Sequence, residues 1–122
     1  MMSYNVSQVG GQFYIAEEVK ADALSALKTG YHGTYYHFEK CRYLEDALEE
    51  MDFDVETDDA LNVTGVTYQR ESYGDLEVAL PFIRPQVRAG SYLEFQGEGG
   101  ARWRILFEEG QLRKVHGRVV WE

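Results

Sequence analysis

A chain of 122 residues that is 44% hydrophobic, with nine Tyr, six Phe and two Trp, can pack one α+β-sized core without staples and is too apolar to stay disordered. Twenty-one acidic against twelve basic residues give a formal charge of −9, which repels phosphate backbones and excludes nucleic acid as the expected partner. No apolar run is long enough for a membrane helix, Met1-Met2-Ser3-Tyr4-Asn5 does not begin a signal peptide, and the lone Cys41 has no bridging partner, so a soluble cytoplasmic protein is expected.

Residues 4 to 15 read as a strand with Val6 and Phe13 inward, interrupted at Gly10-Gly11 by a bulge or a turn. Residues 17 to 28 are helix formers, with Gly30 as a stop. Their apolar stripe is Val19, Ala23, Leu24 and Leu27, which leaves Lys20 and Asp22 facing solvent. A glycine-punctuated loop over 30 to 36 follows, and a second helix is predicted from about 38 to 51. Its inner stripe is Cys41, Leu44, Ala47, Leu48 and Met51, with Glu45, Asp46, Glu49 and Glu50 outward.

Phe53 and Val55 alternate with Asp54 and Glu56, and Asp58-Asp59 suggests a turn before a strand from about 63 to 70. In that strand Thr64, Val66 and Tyr68 would share a face. A third helix, about 75 to 84, has Leu76, Ala79, Leu80 and Ile83 inward, Ser72 or Asp75 as cap, and a strained Pro81 before Pro85 ends it. Strands over 91 to 96, 101 to 108 and 111 to 121 close the chain, separated by hairpin-type glycine turns. Leu93 and Phe95 share one face, as do Trp103, Ile105 and Phe107, and the helical stripes must cover them. The expected class is therefore α+β: an antiparallel sheet with a C-terminal meander, covered on one face by two or three helices. Two ferredoxin-like halves are the alternative.

All of the net charge lies in one stretch. Between Glu45 and Asp59 stand nine carboxylates and no basic residue, while the rest of the chain carries twelve of each sign. This stretch reads as a solvated face, as a surface for a basic partner, or as a cation loop through Asp52, Asp54, Glu56 and Asp58. The cation reading lacks the midpoint glycine, and Val63 stands where the bidentate Glu belongs. His32, His37 and Cys41 are of zinc-ligand type if His37 and Cys41 fall four apart on a helix, although Cys41 fits the apolar stripe equally well. A Cys-His nucleophile lacks any orienting third group, and His116 stands alone in a strand. The glycines of 97 to 100 join two strands and do not form a phosphate loop. No cofactor is expected.

Tyr31, Tyr35, Tyr36 and Phe38 either close the edge of the core or form an exposed patch. Arg102 and Arg104 lie opposite Trp103 and can pair with Glu94 or Glu108 across the sheet. Arg113 and Arg118 extend the set, which would also suit an acidic surface on a second copy.

The segments LEVALPFIRP, GSYLEFQ and the strand with Trp103-Arg104 resemble small, uncharacterised bacterial proteins that share a GSY-x-E-F…W-R hairpin. The resemblance spans roughly residues 75 to 115 and implies no established activity. The reading from the residues is thus a non-enzymatic protein-binding or regulatory domain with a basic protein partner or self-association. Its surface would be Glu45, Asp46, Glu49, Glu50, Asp52, Asp54, Tyr35 and Tyr36. A small hydrolase-like or metal-dependent enzyme and a structural homodimer are the alternatives.

Overall fold

A computed structural model describes residues 5–70 and 72–117. Of the positions assigned above to strands, Tyr4, Arg118 and residues 119–121 lie outside the described residues. The elements in chain order are β1 (Val6–Gln12), α1 (Lys20–Gly30), α2 (Leu44–Glu50), β2 (Phe53–Thr57), β3 (Val63–Tyr68), α3 (Leu76–Ile83), β4 (Tyr92–Gly97), β5 (Arg102–Glu108) and β6 (Gln111–His116). The fold is α+β, with an antiparallel sheet that includes the C-terminal meander packed against the helices.

The main sheet has the order β1-β4-β5-β6, every neighbouring pair antiparallel. β2 and β3 form a separate two-stranded sheet. The ferredoxin-like alternative therefore does not form. Its halves return strands to one sheet through helical crossovers, whereas β2 and β3 ladder only with each other.

Side-chain alternation explains the main sheet. Leu93 faces Ile105 and Phe95 faces Trp103 across the β4–β5 ladder, so their side chains share the covered face with Phe107. The helices line the same core with Ala23, Leu24 and Leu27 from α1, Ala47 and Leu48 from α2, and Leu76, Ala79, Leu80 and Ile83 from α3. Burying a Leu or Phe is worth roughly 1.5–3 kcal/mol against leaving it in water. A polar residue on any of these stripes would cost about that much. The hairpin glycines do local work: Gly99 and Gly100 hold φ of 74° and 83° in the β4–β5 turn, a region closed to most side chains.

The segments from Ser91 to Phe95 and around Trp103 are built into this hairpin. Ser91 Oγ accepts the Tyr14 N–H at 3.2 Å, and Ser91 O accepts the Phe107 N–H at 2.9 Å. Glu94 accepts from Arg104 Nε at 2.9 Å and from Arg102 Nη1 at 3.3 Å on the face away from the helices.

Four expectations are corrected. The helix predicted from 38 begins only at Leu44. A single 3-10 turn, Phe38–Lys40, comes first, and Cys41 is extended at φ −81° and ψ 134°. Asp46 sets that start, because its carboxylate accepts the backbone N–H of Arg42 and Tyr43 at 3.0 and 3.1 Å. Lys20 does not face solvent freely, since it pairs with Glu45 and donates to Leu61 O at 2.7 Å. Thr64 does not share the buried face of Val66 and Tyr68. A bulge between Glu56 and Thr57, where Thr57 faces Val63 and Glu56 faces Gly65, turns Val63 inward and Thr64 outward. Asp75 precedes α3 but makes no side-chain cap, because its carboxylate is taken by Tyr31.

The Gly10-Gly11 interruption proves to lie within a continuous strand. β1 pairs with β4 from Val6 to Gln12, with the irregularity between Gln8 and Gly10. Gly11 has φ of 150°, and a Cβ there would stand 2.7 Å from Tyr92 O. β1 and the residues just after it then approach β3 at two places. Ile15 and Val63 exchange backbone hydrogen bonds at 3.0 and 2.8 Å, and the Gln8 carboxamide reaches across to β3.

Candidate interaction surface

The nine carboxylates from Glu45 to Asp59 divide by what the backbone asks of them. Asp46 caps α2. Asp58 organises the turn from Asp58 to Asn62: it accepts the backbone N–H of Ala60 at 3.0 Å and of Asn62 at 2.9 Å, and the Asn62 side-chain amide at 3.0 Å. Those bonds, the Asn62 amide first, hold its carboxyl below the ordinary carboxylate range. Glu50 accepts the His37 backbone N–H at 2.9 Å and so ties the aromatic loop to α2. Glu45 pairs with Lys20.

Asp52 follows the C-terminus of α2 with φ of 69°, the left-handed geometry that stops helices. Arg70 Nε stands 3.7 Å from its carboxylate. Burial nonetheless pushes the Asp52 carboxyl up, outweighing the lowering by Arg70. The remaining four, Glu49, Asp54, Glu56 and Asp59, are exposed and make no ion pair or hydrogen bond through their side chains among the described residues. Asp54 and Glu56 project from the same face of β2, with Thr67 and Gly65 opposite them on β3. The even spacing from Asp52 to Asp58 thus places only its middle pair on a strand. Asp52 belongs to a helix end and Asp58 to a turn.

Of the two tyrosines assigned to the surface, only Tyr35 is exposed. Tyr36 is buried against Tyr31 and Phe38, with ring centroids 5.5 Å from each. Its hydroxyl finds no hydrogen-bond partner among the described residues. Tyr31 is the hub of this cluster: its hydroxyl donates to Asp75 Oδ2 at 2.5 Å and accepts the backbone N–H of Tyr35 and Tyr36 at 3.2 and 3.3 Å. Burial, then the bond to Asp75, raises its phenol. The aromatic segment therefore closes the core edge, with Tyr35 left outside.

His32, His37 and Cys41 are not brought together as ligands. Cys41 is buried while both histidines are exposed, and the extended backbone at Cys41 removes the four-residue helical spacing that the metal reading needed. Among the described residues no three His, Cys, Asp or Glu side chains converge on a metal position. Burial, aided by Glu50 and Asp46, pushes the Cys41 thiol up and away from the nucleophilic thiolate. His116 is exposed on β6.

A broad groove among the described residues escaped the sequence reading. It encloses about 860 Å³ between α1 and the start of α2, with Leu24 and Ala21 on its floor and Tyr43 and Leu61 at its sides. Tyr43 is 65% exposed and Leu61 57%, the two largest exposures among the large apolar side chains of the described residues. They stand eighteen positions apart in the chain, so no local period could have joined them.

Comparison of the chain with protein-family models, curated proteins and solved structures returns no match. Among the described residues no helix is long and apolar enough to cross a membrane.

Proposed function

We propose that this chain is a non-enzymatic docking domain that recruits a basic protein partner through carboxylates its own fold leaves unpaired. The observation that carries the reading is the division just described. Five acids of the stretch are used by the backbone or by Lys20 and Arg70, while Glu49, Asp54, Glu56 and Asp59 extend into solvent without partners among the described residues. Unpaired charges of one sign steer an oppositely charged surface during encounter and act chiefly on the association rate. The separation of His32, His37 and Cys41 and the raised Cys41 thiol favour this reading over a small hydrolase or a metal enzyme. A free, buried Cys41 suits a reducing cytoplasmic setting, which we include in the proposal.

The test is affinity capture from source-cell extract with the wild-type chain and with a Glu49→Gln, Asp54→Asn, Glu56→Gln, Asp59→Asn variant. A basic protein retained by the wild type at low ionic strength, released by salt and lost from the variant supports the reading. Equal retention by both chains, or no retention by either, overturns it.

A further inference from the structure

The groove between α1 and α2 has a feature that local folding does not require. Leu61 holds φ of 68°, a left-handed backbone that a branched apolar side chain seldom adopts, and still projects that side chain into solvent at the groove edge. The turn is built to keep it there. Leu61 N–H donates to Asp58 O at 3.0 Å, Leu61 O accepts Lys20 Nζ at 2.7 Å, and the Asp58 carboxylate holds the residues on both sides. Glycine or asparagine would serve the turn with less strain. The Leu61 side chain stays 57% exposed and forms one rim of the groove.

The rest of the groove shows what would fit against that rim. Along α1 the lining residues Ala21, Leu24, Ser25 and Lys28 recur at three- and four-residue spacing, a single helical stripe in which the small Ala21 and Ser25 flank Leu24. Small residues admit the close approach of another helix. Tyr43 bounds the other side.

The two ends of the groove carry opposite charge. At the α1 N-terminal end stand Glu17 and Glu18, beside Leu61 and the Lys20–Glu45 pair. At the other end stand Lys28 and Arg42, together with the Asp46 carboxylate, which is engaged by the backbone N–H of Arg42 and Tyr43 and leaves this end net basic. None of Glu17, Glu18, Lys28 and Arg42 makes an ion pair among the described residues.

We propose that the α1–α2 groove binds an amphipathic helical segment of a partner protein, lying antiparallel to α1. The segment would be acidic in its first turn, basic in its last, and apolar at i, i+3 or i+4, and i+7 between. Charge complementarity sets this orientation. The acidic first turn meets Lys28 and Arg42, and the basic last turn meets Glu17 and Glu18. The same charge order also stabilises the incoming helix against its own dipole. The proposal concerns a different surface from Glu49, Asp54, Glu56 and Asp59 and goes beyond that reading.

A displayed library of helical peptides with randomised faces, selected on the immobilised chain, tests it. Enriched sequences should show the apolar spacing and the acidic-to-basic order. They should bind an Ala21→Arg, Ser25→Arg variant at least about tenfold more weakly, since the added side chains fill the floor from exposed helical positions. Leu61→Gly keeps the turn geometry and should weaken binding by about threefold or more through the lost rim contact alone. The Glu49→Gln, Asp54→Asn, Glu56→Gln, Asp59→Asn variant should bind the peptides as the wild type does, which separates the two surfaces. Failure to enrich above background, enrichment of sequences without this pattern, or undiminished binding to the filled-floor variant with native circular dichroism would overturn the proposal.

Discussion

Gln8 and Tyr68 belong to different sheets, yet the Gln8 carboxamide accepts the Tyr68 backbone N–H at 2.7 Å and donates to the Val66 carbonyl at 3.0 Å. A side-chain amide thus stands in for a strand residue between β1 and β3. Both sheets contribute to one core, with Val6 from β1 and Val66 and Tyr68 from β3 buried in it.

Replacing Gln8 with Leu should therefore cost about 1–3 kcal/mol, because it leaves a backbone donor and an acceptor of β3 without partners in a partly buried seam. Denaturant unfolding gives the loss. Hydrogen exchange locates it, with the Tyr68 amide exchanging faster while the β4–β5 amides keep the protection set by global stability. An unchanged midpoint and an equally protected Tyr68 amide would remove Gln8 from its bridging role.

Glu94 makes the corresponding test on the outer face of the main sheet. It is only 8% exposed, which makes it the one buried charged side chain among the described residues, and it holds Arg102 and Arg104. Both arginines are partly open to water and can resolvate, so Glu94→Gln should cost about 1–2 kcal/mol, short of the loss for a fully buried pair. In an Arg104→Gln background the same substitution should cost less, since the two share one interaction. Equal costs in both backgrounds would show that the pair is not coupled.

Much of the architecture was readable because it is local. The stripes Ala23-Leu24-Leu27 and Leu76-Ala79-Leu80-Ile83 repeat at helical spacing, and the β4–β5–β6 meander carries alternation and glycine turns within consecutive residues. What could not be read depends on distant partners. Nothing near Val6 specifies β4 as its neighbour, some ninety residues away, and nothing in β2 or β3 shows that they leave the main sheet. Lys20 looked solvated because Glu45 and Leu61 meet it only in the folded chain. One misread feature did carry a signal: Asp46, three residues after Tyr43, has the spacing of a helix-start acid. The turn at Asp58 was legible from its paired aspartates, although the bonds from Asn62 that use up its carboxylate were not. Counting charge merged both acids with the four that make no pair among the described residues.

Asp52 and Asp58, six residues apart, should respond to acid in opposite senses. The Asp58 carboxyl is lowered in the folded chain by Asn62 and Ala60, so its stabilisation is complete above the unfolded carboxylate range, near pH 3.9, and is lost as pH falls through its folded value. The Asp52 carboxyl is raised by burial, so its ionised form opposes folding at neutral pH and protonation relieves that penalty as pH falls. Asp52→Asn removes the charge and accepts the left-handed backbone at φ 69°. It should stabilise the chain at pH 7 by less than about 1 kcal/mol, because the site is partly screened by solvent. Asp58→Asn should destabilise at neutral pH, with the difference from wild type narrowing as acid is added. Melting curves of the three chains at neutral and acidic pH test this, and a loss of stability in Asp52→Asn at pH 7 would mean that the Arg70 contact outweighs burial.

The buried phenols set the alkaline limit. Tyr68 is pushed up to about 12, by burial first and then by Asp52 and Tyr35, while burial also raises Tyr36 and Tyr73. An unfolded tyrosine ionises near pH 10, so the unfolded chain loses these protons first. Their contribution to stability is whole below about pH 10 and declines as pH rises through the folded values. The phenolate absorbance of the buried rings should then rise together with the loss of far-ultraviolet circular dichroism. Tyr36→Phe separates this effect from general charge repulsion. It removes a buried hydroxyl with no partner among the described residues, so it should add about 1 kcal/mol at neutral pH. It should also delay alkaline unfolding, since one fewer proton is released on opening. Reversible ionisation of every tyrosine near pH 10 with the circular dichroism intact would show that these rings meet solvent, and the packing of Tyr36 against Tyr31 and Phe38 could not then be as described.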